Sequence, residues 1–193
     1  MNKKYTWLVN SEQIEIDGNY VFNHMLGKGA YGYVFKCSDK NSKEQYAIKK
    51  CRNIFKTKMT VKRTIREIKI VRLLDHVNII KIKSILRPYD NHDFNDIYIV
   101  FELMTADLSS LIKSEQTINQ AVIKHLSRQL FRGLDYLYNQ KIVHRDLKSK
   151  NILINLDCSL KVSSSPLLSS PFNKHLLFRL LTSDWLDVLM NRK

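Results

Sequence analysis

Two short runs carry residue types suited to chemistry on phosphates. In LGKGAYGYV, residues 26–34, Gly27, Gly29 and Gly32 stand as G-x-G-x-x-G, three of only five glycines in the chain. Glycine lets backbone approach a polyphosphate with its amides aimed at the oxygens and no Cβ in the way. Alone the pattern is weak, because a tight hairpin turn uses the same residues. Its context narrows the choice. A dinucleotide fold opens a helix after the glycines, whereas Tyr33, Val34 and Phe35 continue as a strand, so the loop reads as a lid built on a β-turn.

HRDLKSKN, residues 144–151, is the more specific run. Asp146 is placed to accept the proton of an attacking hydroxyl, Lys148 to neutralise charge on a transferred phosphoryl, and Asn151 to offer an amide oxygen to Mg²⁺. His144 and Arg145 read as supports. Two further residues complete the set: Lys49 in YAIKK, flanked by apolar Ala47 and Ile48, suits a phosphate contact, and Glu67 in REI is the anion to hold it. Each has a plain alternative, an exposed strand lysine for Lys49 and an intrahelical pair with Arg63 for Glu67.

The elements that must position these residues follow from periodicity. YVFNHML, YVFKC and QYAIKK are β-branched and aromatic runs separated by turn residues, which predicts an antiparallel meander over residues 20–50. Val61, Ile65, Ile68, Val71 and Leu74 recur at helical spacing and predict a helix from Thr60 to Leu74. Strand character returns in residues 78–86 and 96–104 across a polar connection. DLSSLIKS then reads as a short helix and residues 121–140 as a long amphipathic one with Val122, Leu126, Leu130, Leu134 and Leu137 on its stripe. The order predicts an α+β protein with a boundary near residues 103–107.

The order LGKGAYGYV, YAIKK, REIKIV, HRDLKSKN resembles a eukaryotic protein kinase, and TIREIKIVRLLDHVNII, DIYIVFELMTADLSSLI and LFRGLDYLYNQKIVHRDLK resemble its mitogen-activated protein kinase (MAP kinase) branch, with cyclin-dependent kinases as the competing relatives. The resemblance implies an antiparallel β N-lobe with one helix, residues 20–104, preceded by an extension, residues 1–19. A mainly α C-lobe follows over 105–162, and a divergent Ser/Pro segment with a helical tail over 163–193. It implies a serine/threonine kinase using ATP and Mg²⁺. Leu26, Gly27, Lys28, Gly29, Ala30, Tyr31, Gly32, Tyr33, Val34 and Lys49 would surround ATP, Glu102 and Met104 would flank an adenine-binding hinge behind Phe101, and Asp107 would approach the ribose. Asp107 is equally suited to cap the following helix. Protein substrates and an upstream activating kinase are the implied partners. Ser149 and Lys150 depart from the Pro-Ser usual in that branch.

After LINLDCSLKV the family presents Asp-Phe-Gly, whose Asp chelates Mg²⁺; here Ser163, Ser164, Ser165 and Pro166 follow. Neutral Ser164 cannot replace a carboxylate as principal ligand of a hard dication. The C-lobe is thus expected to be incomplete, as in a truncated or frame-shifted kinase, the stripe of the long helix to be uncovered unless the tail shields it, and phosphotransfer to be doubtful. The alternative is a nucleotide- or partner-binding pseudokinase. SSSPLLSSP, residues 163–171, is not expected to supply a packed element.

Composition bounds the rest. With 44% apolar and 26% charged residues among 193, the chain is globular in type. Its net charge is +14, and residues 49–87 hold thirteen Lys or Arg against Glu67 and Asp75. A solvated helix face gives that count more readily than a nucleic-acid surface, and no nucleic-acid motif accompanies it. Three separated cysteines without a zinc spacing suit a reduced compartment, and no run is long and apolar enough to span a bilayer. The expected location is the cytoplasm, with the nucleus as the second choice, and no membrane insertion.

Overall fold

A computed structural model describes residues 4–9, 12–17, 19–29, 32–86, 95–114, 116–144, 146–163 and 168–169. The chain divides into two compact units, Met1–Arg72 with Lys81–Met104, and Leu73–Ile80 with Thr105–Lys193.

The first unit is built on a five-stranded antiparallel sheet. Its strands are β3 (Tyr20–Gly29), β4 (Gly32–Asp39), β5 (Gln45–Cys51), β6 (Ile82–Leu86) and β7 (Ile97–Glu102), in spatial order β3-β4-β5-β7-β6. The β4–β5 turn is made locally: Asp39 Oδ1 accepts from Asn41 N (2.8 Å) and Ser42 N (2.9 Å), and Lys43 takes the left-handed conformation, φ 62°. Alternation along β4 and β5 sends side chains to opposite faces. Tyr33, Phe35, Cys37 and Ile48 join Tyr98 and Val100 in a core on one face; Cys51, Ile54, Ile97 and Ile99 form a core on the other, with Ile68 of helix α1 (Lys58–Leu73) packed against it. Four consecutive residues of β7, Ile97–Val100, are buried, as a central strand covered on both faces requires.

Residues 1–19, to which periodicity assigns no element above, contribute a hairpin. β1 (Lys4–Val9) pairs with β2 (Glu12–Asp17), and Ile14 is 1% exposed in the same core as Phe35. Ile14 and Ile16 alternating with Gln13 and Glu15 is the signal that marks it. The six cations of α1, Lys58, Lys62, Arg63, Arg66, Lys69 and Arg72, are exposed, so the part of the basic run that lies on the helix is a solvated face, whereas Lys49 and Lys50 are held in ion pairs on β5.

In the second unit, α2 (Leu108–Lys113) is followed by α3 (Gln120–Asn139), capped by Asn119, whose Oδ1 accepts from Ala121 N at 2.8 Å. A three-stranded sheet joins β8 (Ala106–Asp107), β10 (Ile152–Ile154) and β11 (Leu160–Val162), in order β11-β10-β8. Leu73–Ile80 packs here because Ile79 bridges Val162 and Tyr136 Oη accepts from Asp75 N at 2.9 Å.

Two expectations are corrected. The α3 stripe is covered in part: Leu126, Leu134 and Leu137 are buried because β11 and β9 (Ile142–Val143) lie against the helix, while Val122 and Leu130 are only half-buried. Within the Ser/Pro segment, β12 (Leu168–Ser169) pairs with β9; a two-residue ladder needs only backbone, and neither Pro166 nor Pro171 falls in it. The expected tail helix lies outside the described residues. Among the described residues no helix is long and apolar enough to cross a membrane.

The cysteines are free. Burial pushes the Cys37 thiol up to about 12 and the Cys51 thiol up to about 11. Iodoacetamide at neutral pH is therefore expected to alkylate half-exposed Cys158 first, with Cys37 and Cys51 slower by about a hundredfold or more, since the thiolate is the nucleophile. Peptide mass spectrometry of a time course checks this, and early modification of Cys37 would contradict it.

Candidate active site

The glycine strand-turn-strand occupies the end of β3 and the start of β4, where Lys28 pairs with Tyr33 and Gly29 with Gly32. Ala30 and Tyr31 lie outside the described residues. The glycines differ in what demands them. At Gly32, φ is +149° and an added Cβ would sit 1.7 Å from the Lys50 carbonyl oxygen, so the neighbouring strand requires glycine. At Gly27, among the described residues and apart from its chain neighbours, no atom lies within 4 Å of that position, which is the space a phosphate-binding backbone would need. Leu26 is exposed, 46%. Tyr33 is 5% exposed on the face opposite Val34, with Lys28 Nζ 5.5 Å and Arg52 Cζ 4.9 Å from its ring centroid. Its side chain is a core element, and only its backbone is available to a ligand.

Val34 pairs with Lys49, which pairs in turn with Ile99. This is the face that α1 covers, and Lys49 Nζ donates to Glu67 Oε1 at 2.8 Å with each side chain 16% exposed. Burial works against the Lys49 ammonium most strongly, but the Glu67 carboxylate, with smaller help from Cys51, holds its pKa above the ordinary lysine value. Lys49 is neither an exposed strand lysine nor free to wander. The next lysine, Lys50, points the other way and pairs with Asp96 at 3.1 Å.

At the end of the first unit Glu102 Oε1 accepts from Lys81 N at 3.1 Å and Met104 is buried. Asp107 caps α2: Oδ1 accepts from Ser110 N at 2.9 Å and Oδ2 from Ser110 Oγ at 3.1 Å. Of the two sequence-level roles for Asp107, the structure displays the cap.

The second unit assembles the HRDLKSKN residues. Lys148 Nζ lies 2.8 Å from Asp146 Oδ2, and the Asn151 amide donates to Asp146 O (2.6 Å) and Oδ2 (3.1 Å) from the 3-10 turn Ser149–Asn151. The Lys148 bond foremost, with Asn151 assisting against burial, keeps the Asp146 carboxyl below the ordinary aspartate value, hence ionised. Arg145 lies outside the described residues. His144, 3% exposed, bonds Ser163 O through Nε2 at 2.7 Å, which makes Nε2 the protonated nitrogen; Nδ1 is buried with no hydrogen-bond partner among the described residues.

Protonating His144 would bury an unpaired N–H, and burial accordingly lowers its pKa from 6.5 despite the opposing Ser163 bond. His76, stacked on Tyr136 at 4.8 Å, is lowered too, by burial and then by Arg132 and Lys161. Below pH 6.5 the unfolded chain then binds more protons than the folded one, so stability is full above that pH and falls as pH drops through it. The loss is at most about 1.4 kcal/mol per pH unit for each histidine. Urea midpoints from pH 7.5 to 5.5 should decline, more shallowly for His144→Asn; a flat profile would refute the assignment.

Among the described residues no three His, Cys, Asp or Glu cluster as a self-sufficient metal site. Asn151 fits a shared one. Its Nδ2 is committed to Asp146, which leaves Oδ1 as the end available to a cation that takes its remaining ligands from phosphate. Residue 164 is outside the described set.

Comparison with known proteins agrees with this arrangement: the model of the protein kinase domain matches residues 20–164. This chain belongs to the protein kinase domain family. It is MAP kinase-like within it. It is 47% identical over 137 residues to mitogen-activated protein kinase homolog NTF6 of Nicotiana tabacum, covering 71% of this chain and 37% of that protein. Mitogen-activated protein kinase 5 of Arabidopsis thaliana is 45% identical over 138 residues, 72% of this chain and 37% of the relative. Mitogen-activated protein kinase 14 of the same plant is 42% identical over 148 residues, 77% and 41%. The chain thus spans about two fifths of the length of these curated relatives. The sheet with its single helix and the smaller helical second unit are those of a protein-kinase-like fold.

Proposed function

We propose that this chain carries the ATP-binding and catalytic-loop portion of a serine/threonine protein kinase of the MAP kinase type, which moves the γ-phosphoryl of ATP to protein hydroxyls. The observation that carries this reading is the ionised Asp146 carboxylate held by both Lys148 and Asn151. In the reaction the substrate hydroxyl oxygen bonds to the γ-phosphorus as its proton passes to Asp146, and the bond to the β-phosphate oxygen breaks to release ADP. Lys148 is within reach to trade its Asp146 contact for the transferred phosphoryl. The Lys49–Glu67 pair presents a fixed cation to the ATP phosphates, and the backbone around Gly27 covers them. Mg²⁺ bound at Asn151 Oδ1 would supply charge neutralisation on the phosphates. Protein substrates, an upstream activating kinase and a cytoplasmic or nuclear location belong to the same proposal.

Ser164 favours a second reading, a nucleotide- or partner-binding pseudokinase, because the family's carboxylate at that position is replaced by a neutral hydroxyl. We expect ATP binding with phosphotransfer reduced by orders of magnitude. At a hundredfold excess over Kd, ATP should stabilise the chain by about 2.7 kcal/mol, seen as a rise in Tm of roughly 5–10 °C. No shift with ATP, with or without Mg²⁺, would remove the nucleotide-binding reading. Robust Mg²⁺-dependent phosphorylation abolished by Asp146→Asn would instead overturn the expected loss of activity.

A further inference from the structure

Where α3 meets the β10–β11 hairpin, Gln129 and Asn78 form a part-buried polar pair unused by the chemistry above. Gln129 Oε1 accepts from Asn78 Nδ2 (3.1 Å) and from Leu160 N (2.9 Å), and its Nε2 donates to Cys158 O (2.7 Å). Asn78 is 3% exposed, and its Nδ2 also donates to Leu160 O at 2.8 Å. At the start of β11 the Leu160 N–H is thus held by Gln129 and the Leu160 carbonyl by Asn78, while Gln129 also holds the Cys158 carbonyl just before the strand. Asn78 holds β11 from the other side as well: its carbonyl accepts from Val162 N (2.8 Å), and Val162 O accepts from Ile80 N (3.0 Å). Gly133 of α3 permits the approach, since a Cβ there would meet Asn78 O at 3.1 Å and Val162 Cγ2 at 3.5 Å.

The residue after β11 is Ser163. Its N–H donates to Asn151 O at 2.8 Å and its carbonyl accepts from His144 Nε2 at 2.7 Å. Ser163 thus bonds both ends of HRDLKSKN, and Asn151 in turn bonds Asp146. We propose that Gln129 is a positioning residue for the catalytic loop: together with Asn78 it sets the register of β11 against α3, and β11 transmits that register to Ser163 and so to His144 and Asn151. The part-buried Gln129 amide makes three bonds, two through Oε1 and one through Nε2, and buried Asn78 makes two through Nδ2, so the pair is held in one arrangement, which is what a relay of position needs. The proposal rests on the kinase reading only for the role given to Asp146.

The test uses the full chain, with amide hydrogen exchange and imidazole nitrogen shifts read by NMR, alongside Tm and ATP titration. In Gln129→Leu, the Ser163 and Asn151 amides should exchange about tenfold faster or more, and the His144 Nε2 signal should move, while β3–β5 amides are unchanged. Gln129→Glu keeps the Oε1 acceptor for Asn78 Nδ2 and Leu160 N but turns a carboxylate oxygen toward the Cys158 carbonyl, so it should restore the Ser163 protection in part, above the level of Gln129→Leu. If the Leu160 amide is exposed yet Ser163 and His144 are unaffected, Gln129 holds only the hairpin and the proposal falls. Should Gln129→Leu fail to fold, Gln129→Asn, which cannot reach all three partners, decides on the same signals. A wild-type chain that does not bind ATP would remove the kinase reading, while the exchange pattern would still decide the role of Gln129.

Discussion

Replacing Lys49 by methionine is expected to weaken ATP binding by about 10- to 100-fold while leaving the sheet intact. Methionine keeps the unbranched length among Val34, Ile99 and Glu67 but removes the ammonium, and one charge-assisted hydrogen bond contributes about 1.5–3 kcal/mol. The cost to stability has a separate origin, because Glu67, 16% exposed, is left without its 2.8 Å partner. Desolvation of that orphaned carboxylate should cost about 1–3 kcal/mol. A double variant, Lys49→Met with Glu67→Gln, should recover much of the stability and none of the affinity. Calorimetric ATP titration combined with urea unfolding separates the two effects. Unchanged affinity in Lys49→Met would remove Lys49 from the phosphate site.

Gly32→Ala should destabilise the chain by about 3 kcal/mol or more, whereas Gly27→Ala should change stability by less than about 1 kcal/mol. The difference follows from surroundings, since both glycines belong to the same motif. The alanine methyl at residue 32 would penetrate the Lys50 carbonyl, and φ of +149° is a region that L side chains rarely adopt. Both β4 and β5 are packed into the cores around Phe35, Ile48 and Cys51, so neither strand can retreat cheaply. Against a total stability of about 5–15 kcal/mol the loss is large. Equal urea midpoints for the two variants would mean that the motif is required for ligand alone.

The sites were legible to different degrees for physical reasons. Asp146, Lys148 and Asn151 lie within six residues, so chain connectivity alone keeps them close, and their spacing carried the chemistry. Lys49 and Glu67 are 18 residues apart on a strand and a helix, and only their 2.8 Å contact sets aside the single-residue alternatives. Tyr33 belongs to the glycine motif by position, yet strand alternation sends its ring into the core beside Phe35. Gln129 and Asn78 are 51 residues apart, and no local pattern marks either. The same holds for the cover on α3, which comes from β9 and β11, elements of two and three residues too short to show a period.

What the sequence by itself determined is whatever depends on neighbours along the chain. The meander and helix boundaries to within a few residues, the glycine turn and the Asp146–Asn151 cluster follow from local types and spacings, and the resemblance to protein kinases rests on the order of those motifs. What only the tertiary structure decided is which of several suitable partners each group takes. It chose Glu67 for Lys49, the α2 cap for Asp107, the core for Tyr33, the demand of Lys50 for Gly32, and Ser163 as the clamp on His144 and Asn151. The reason is that local propensity is summed over adjacent residues, whereas a hydrogen bond or a buried contact is settled by distance in space, within about 3–4 Å.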